Sequence, residues 1–356
     1  MYISKLLLEN FRSYDKKLFE FKPGFNLILG PNGCGKTNIL EAIFLLSSGK
    51  SFRSSSLPKL IEWNKNFSSV RLKVINNKSE TNEVEVELIK DPTGQKSTIS
   101  RKFLIDKVEK NRKNFIGVLK TVIFHPEDTR LVTGSPSRRR DFFDSLFLQV
   151  EWRYASALSQ FNRALRHRNE LLDQIKLGRN SKSELFYWDQ ALIKNANIIH
   201  DFRVNFIRSV NLFFANHSNS QINTISLNYH PSLVTQEKLD RNYQHELNSG
   251  YTIIGTHRDD FSFDNSIFPQ DDKNLAFWGS RGQQRLAVLA IRLAQIDYLE
   301  KTYNDTPVLL LDDIFSELDE DHQKLVVSVC QKYQTIFTSS EKNTADIMGN
   351  CNVIQL

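Results

Sequence analysis

Residues 25–46 read FNLILGPNGCGKTNILEAIFLL, and this stretch decides the fold. FNLIL is a short apolar run of the kind that forms a buried strand, and it leads directly into a glycine-rich loop. After the loop, Ile39, Leu40, Ile43, Phe44 and Leu46 recur at helical spacing, so a helix is expected from about Lys36 to Leu46. Strand, loop and helix in this order, with GPNGCGKT at 30–37, form a phosphate cradle. Backbone N–H groups must point inward around a triphosphate, and side chains at Gly30, Gly33 or Gly35 would obstruct the approach. Lys36 reaches the β- and γ-phosphates, Thr37 offers a hydroxyl to Mg²⁺, and the helix N-terminus adds its dipole. The candidate contacts to ATP in this segment are Gly30, Pro31, Asn32, Gly33, Cys34, Gly35, Lys36, Thr37 and Asn38.

A second constellation complements the first. VLLLDD at 308–313 is a hydrophobic strand that delivers two acids to its C-terminal end, where open α/β sheets place ligands. Asp312 is the expected Mg²⁺ ligand alongside Thr37, and Asp313 is placed to orient or deprotonate the attacking water. Each half lacks what the other supplies.

The rest of the chain sets the context. Its 356 residues exceed one typical domain, and 40% apolar against 25% charged residues reads as folded. The formal net charge of +6 suits a nucleic-acid partner or an anionic membrane surface. Cys34, Cys330 and Cys351 are too few and too far apart for a disulfide framework or a metal cluster, which points to a reducing, cytoplasmic home. No apolar run of 18 or more residues spans a membrane, and the opening MYISKLLLENFRSY is not a signal peptide.

Strands are expected at 1–8 and 17–29, and SSVRLKVI and NEVEVELI within 68–90 should pair as a hairpin. Leu158, Phe161, Leu165, Leu172 and Ile175 form one apolar stripe. Leu185, Trp188, Leu192, Ala196, Ile199, Phe202, Phe206, Val210 and Phe213 form another, and KLGRNSKS at 176–183 separates them. Two long helices packed as an antiparallel arm follow, with these residues as core. Strand character resumes at 251–255 and 261–263, a helix starts near Ser280, and a final helix near 319–332 precedes TIFTSS. The expected fold class is α/β, a P-loop ATPase head with a mixed sheet and an inserted long-helical arm. Its divisions are 1–136, 137–245 and 246–356.

The order of motifs resembles the RecF family of the ABC-type ATPase superfamily. The resemblance rests on LLLENFRSY, with Arg12, at the opening strand and turn, on GPNGCGKTNILEAI, and on FHPEDTRLVTGSPSRRRDFFD at 124–144. It continues through GTHRDDF at 255–261, GSRGQQRLAVLAIRLAQ, similar to the ABC signature and its helix, and LLLDDIFSELD, similar to Walker B and the D-loop. The resemblance implies that the signature completes the site in a partner subunit. Ser280 and Gly282 would donate to the γ-phosphate held by the other chain, with Gln283, Gln284 and Arg285 at the helix start. Ser280 is equally a plausible helix N-cap. Arg12, Ser280, Gly282 and Gln283 join the nucleotide contacts, and Asp313, Lys36 and Ser280 form the catalytic set. Ser316 and Asp319 would cross the same interface.

Departures from the superfamily pattern stand out. Asp313 replaces a common Glu, Ser339-Ser340 stand where transporters carry His, and His125, Pro126, Glu127 and Asp128 occupy the region of the usual glutamine. Glu127 is open to two readings, a contact to metal-bound water or a solvated loop acid. Asp313, one methylene shorter than Glu, suggests slow ATP hydrolysis. For His257, Arg258, Asp259 and Asp260 a structural Arg–carboxylate network is favoured over a phosphate contact by Arg258.

An ATP-gated homodimer clasping double-stranded or gapped DNA without sequence preference is the expected mode, with recombination mediator proteins as partners by resemblance. Candidate DNA contacts are Arg101, Lys102, Lys107, Lys110, Arg112 and Lys113, then Arg138, Arg139 and Arg140, and Arg163, Arg166 and Arg168 on the arm. The competing readings are a chromosome-organising ATPase of the same superfamily, which would carry a far longer coiled coil, a transporter's cytosolic subunit, and a nucleotide-gated module without useful hydrolysis.

Overall fold

The structure, a computed structural model, describes residues 1–54, 56–76, 79–90, 99–269, 273–304, 306–341 and 349–356. Asn77 and Lys78 of the expected hairpin turn lie outside the described residues. The chain divides into two compact units, Met1–Asp128 with Gln295–Leu356, and Thr129–Ala294.

The first unit contains two sheets, which share out the mixture of strand directions. An antiparallel sheet runs β2 (Tyr14–Glu20), β1 (Tyr2–Phe11), β4 (Phe67–Ile75), β5 (Thr81–Lys90), β6 (Ile99–Ile105) and β7 (Val108–Lys110). A parallel sheet runs β13 (Asn352–Gln355), β3 (Phe25–Leu29), β12 (Thr335–Ser339), β11 (Val308–Asp312) and β8 (Thr121–Phe124). The strand expected over 17–29 is two strands. Pro23 and Gly24 break it, with Gly24 at φ 78° and Asn26 Nδ2 donating to the carbonyls of Lys22 and Gly24.

The P-loop helix, Lys36–Ser48, packs on one face of the parallel sheet. Ser47 Oγ and Thr121 Oγ1 lie 2.6 Å apart, which sets Thr121 on the helix side. Side chains alternate along a strand, and registered neighbours in a parallel sheet share a face. Ile123, Val308, Leu310, Ile336 and Ile28 therefore face the same way, and all join Ile39, Leu40 and Ile43 in one core. The helix ends at Gly49 (φ 68°), whose N–H donates to Leu45.

The second unit holds the arm. Helices Trp152–Lys176 and Leu185–Ala215 pack together, and Phe161, Leu172, Leu185, Leu192, Ala196, Ile199, Phe206 and Val210 are buried as the stripes required. The same unit holds the helices Pro136–Val150 and Gln236–Ser249 and a two-stranded antiparallel sheet of β9 (Ile225–His230) with β10 (Asp260–Asn265). This pairing corrects two expectations. Residues 251–255 form no strand, because Thr252 is spent on Asn169 and Arg168, and β10 does not return to the head sheet. The compact unit that holds the arm runs from Thr129 to Ala294. Among the described residues, no helix is long and apolar enough to cross a membrane.

Candidate nucleotide site

Three elements of the parallel sheet's C-terminal edge converge in the first unit. β3 ends at the glycine loop, where Gly33 (φ 83°) and Gly35 (φ 104°) take up left-handed backbone. A Cβ on Gly35 would stand 2.8 Å from Tyr14 Oη and 3.0 Å from Ser13 Oγ, so the glycine is required by both conformation and space. Lys36 is buried and donates to the carbonyls of Gly30 at 2.6 Å and Pro31 at 3.0 Å, which holds its ammonium across the mouth of the loop.

Continuing the alternation, Asp312 and Thr338 face the P-loop helix like Leu310 and Ile336 before them. Asp312 Oδ1 accepts from Thr37 Oγ1 and from Thr338 Oγ1, each at 2.9 Å. Thr338 Oγ1 in turn accepts from the amide of Asp313 at 3.0 Å. Asp313 sits at φ 49°, an uncommon conformation for a residue with a side chain, and its carbonyl accepts from Ser316 Oγ at 2.9 Å. Two hydroxyls and a carboxylate gathered beside a cradle lysine are hard oxygen donors, a set that fits Mg²⁺. Thr37 and Asp312 would hold the ion, which would neutralise charge on a bound triphosphate.

The structure brings together Gly30, Gly33, Gly35, Lys36, Thr37 and Asp312, and it shows where the remaining expected contacts lie. Arg12, at φ 55°, grips Glu41 of the P-loop helix with two nitrogens, Nε at 2.8 Å and Nη2 at 2.6 Å, and donates its third to the Lys59 carbonyl. Glu41 is fully buried and also accepts from Ser51 Oγ. Asn38 bonds Ser13 and Arg53 rather than standing free. Arg12 and Asn38 therefore brace the loop through its helix. Sequence reading missed Glu41 and Thr338. A lone acid inside the apolar run NILEAIFLL was the available signal for Glu41, since a buried carboxylate demands a partner. Thr338 carried no signal, because its role depends on strand order.

In the second unit, Ser280 caps the helix Arg281–Tyr303. Its Oγ accepts from the amide of Gln283 at 3.3 Å, and Gln283 Oε1 accepts from the amide of Ser280 at 2.8 Å. Ser280, Arg281 and Gly282 are exposed at this N-terminus, next to exposed Phe277 and Trp278. Gln284 turns inward, donating to the carbonyls of Leu275 and Gly279.

Several basic candidates are committed elsewhere. Arg101 and Arg112 donate to the carbonyls of Gly49 and Ser48, where cations suit the C-terminus of the P-loop helix, and burial pulls both guanidinium pKa values down. Arg139 forks onto both oxygens of Asp260 and donates to Gly134, while Arg140 donates to the Asp259 carbonyl. Arg168 is the clearest correction. It is 1% exposed, donates to Asp189 at 2.7 Å and is ion-paired with Glu246 at 2.7 Å inside the unit, so it is buried away from DNA. Lys102, Lys107, Lys110 and Lys113 are exposed, as are Arg163 and Arg166, and Arg138 is half-buried.

The favoured network at 257–260 is present. Asp259 accepts from Arg203, Tyr229 and the amide of Ser232. Arg258 lies over the Tyr251 ring at 5.6 Å, and burial pushes His257 down to about 4.

Comparison with known proteins places these features in company. The family described as RecF/RecN/SMC N terminal domain matches residues 2–355. The DNA replication and repair protein RecF of a Thermoanaerobacter species is 34% identical over 366 residues, covering 99% of this chain and 97% of that protein. RecF of Clostridium acetobutylicum is 32% identical, covering 95% and 92%. A solved structure of the recombination mediator protein RecF-ATPrS in the RecFOR pathway superposes with a TM-score of 0.85 at 29% identity, covering 99% of this chain and 96% of that one. An Smc head bound to the C-winged helix domain of ScpA shares the fold alone, with a TM-score of 0.53 at 19% identity, covering 98% of this chain and 91% of that one.

Proposed function

Because the chain belongs to the RecF family, within the RecF/RecN/SMC N-terminal domain family, we propose that it is an ATP-dependent DNA-binding protein of recombinational repair. Two copies close on ATP, clasp duplex DNA near single-stranded gaps, and release it after slow hydrolysis. The observation that carries this reading is the cluster of Thr37, Asp312 and Thr338 oxygens beside Lys36, drawn from three separate elements. In a single chain this cluster has cradle and metal donors. The second copy supplies the exposed N-terminus of its helix Arg281–Tyr303, whose backbone dipole and Ser280 hydroxyl favour a γ-phosphate. Hydrolysis removes the group that both copies hold, so the nucleotide times the clasp.

Lys102, Lys107, Lys110 and Lys113 make a basic edge for nonspecific phosphate contacts, and the arm adds Arg163 and Arg166. Other recombination mediator proteins are its partners, a reading supported by a solved relative that is itself described as a recombination mediator protein in the RecFOR pathway. The test measures mass in solution without nucleotide, with ADP and with ATP and Mg²⁺, each with and without duplex DNA at two salt concentrations. Dimers that form only with ATP, and DNA binding that falls steeply with salt, are expected. A monomer in every condition defeats the clasp.

A further inference from the structure

An arginine that leaves from the apolar face of a sheet needs a reason, and β6 carries one. Side chains alternate along β5 and β6. Phe103, paired with Val86, is buried on the core face, so Arg101, paired with buried Leu88, leaves from that same face. Lys102, paired with Glu87, leaves from the other face, and Glu85 and Glu87 go with it. Arg112 comes to the same place from the short helix Arg112–Phe115, whose Phe115 meets Phe103 with ring centroids 5.0 Å apart.

Both guanidinium groups end on the last carbonyls of the P-loop helix. Arg101 Nη1 donates to Gly49 at 2.8 Å and Arg112 Nη2 to Ser48 at 3.0 Å. One cation answers a helix C-terminus, whose partial charge is about half an electron. Here there are two, and Lys50, exposed just past Gly49, is a third. Among the described residues none of the three side chains has a carboxylate partner, and Arg112 Nε is buried with no acceptor. Desolvation holds both guanidinium pKa values down, and the charge of Arg101 lowers that of Arg112 further. Like charges gathered over a wall of Phe103 and Phe115 attract an anion, which relieves their repulsion.

We propose that Arg101, Arg112 and Lys50 form a phosphate-binding site at the C-terminal end of the P-loop helix, separate from the nucleotide cradle at its other end. Planar guanidinium groups match phosphate oxygens two at a time. Arg101 and Arg112 each keep N–H groups beyond the one given to a carbonyl, and Arg101 is exposed where a ligand arrives. The occupant is a phosphate group, either free or in a nucleic-acid backbone. The helix has 13 residues and is about 20 Å long, so this group is not the one that Lys36 holds. The site stands whether or not two copies close on ATP.

The parent, Arg101→Gln, Arg112→Gln and, as a control on exposed β2, Lys17→Gln are each saturated with Mg–ADP so that the cradle is filled. Glutamine keeps an N–H for the carbonyl and removes the charge. Thermal midpoints are read in sodium phosphate against sodium chloride of equal ionic strength. Phosphate should raise the midpoint of the parent and of Lys17→Gln by about 2 °C or more, and most of that gain should be lost in the two Arg variants. A crystal of the parent soaked in tungstate reads the place without any substitution, with an anomalous peak expected between Arg101 and Arg112. Anisotropy of a short DNA duplex at fixed ionic strength separates the two sources. For a backbone phosphate the Arg variants bind duplex about tenfold more weakly and free phosphate competes with it. For a free phosphate, duplex affinity stays parental while the midpoint gain is lost. A parent that gains nothing from phosphate, an equal gain in every variant, or no tungstate at the arginine pair overturns the site.

Discussion

At the scale of single residues, Thr338 ties the carboxylate of Asp312 and the backbone of Asp313 with one hydroxyl. It donates to Asp312 and accepts from the amide of Asp313. The first bond is charge-assisted and, being nearly buried with Asp312, is worth about 1.5–3 kcal/mol. Thr338→Val keeps the shape and removes both bonds. Its expected outcome is turnover reduced about tenfold or more and a lowered thermal midpoint, read by phosphate release and scanning fluorimetry, with Thr338→Ser restoring both. Ser339-Ser340, which stand where transporters carry His, follow the β12 residue that meets Asp312. β12 enters the site through the residue that faces the P-loop helix, and only the register with β11 and β3 says which one that is.

At the scale of elements, buried arginines hold the second unit together. Arg168 ties the helix Trp152–Lys176 to Asp189 on the helix Leu185–Ala215 and to Glu246 on the helix Gln236–Ser249. Arg203 ties Asp144 to Asp259, linking the helix Pro136–Val150 to the loop before β10. Removing one partner strands the other charges away from water at a cost of about 3–5 kcal/mol. Arg168→Ala should therefore melt the arm early in circular dichroism. Arg163→Ala and Arg166→Ala, on the exposed side of the same helix, should leave its stability within about 0.5 kcal/mol. Equal losses in all three would mean that burial does not distinguish them. Helical spacing made the apolar stripes readable in advance, but an arginine on a helix looks the same in sequence whether it meets water or a carboxylate.

At the scale of the whole molecule, one copy cannot complete the nucleotide site if the signature acts in trans. Ser280→Arg replaces a small N-cap hydroxyl with a long side chain at the helix start. Loss of the cap's contact to phosphate costs about 1.5–3 kcal/mol. The ATP-dependent dimer should weaken more than about tenfold, while ATP binding to a single chain persists. Light scattering and calorimetry on the same samples check both. A dimer that survives in this variant takes the trans role away from Ser280.

The sequence by itself determined the strand, loop and helix of the phosphate cradle, the acids at the end of a hydrophobic strand, and the two long helices. Each is a local pattern in which neighbours along the chain are also neighbours in space, so periodicity and glycine spacing suffice. Only the tertiary structure decided that Arg12 serves Glu41, that Arg168 is core, that β10 belongs with β9, and that Thr338 flanks Asp312. Those depend on which strands lie side by side, and strands brought together from opposite ends of a chain carry no mark in their own residues of the neighbour they will have.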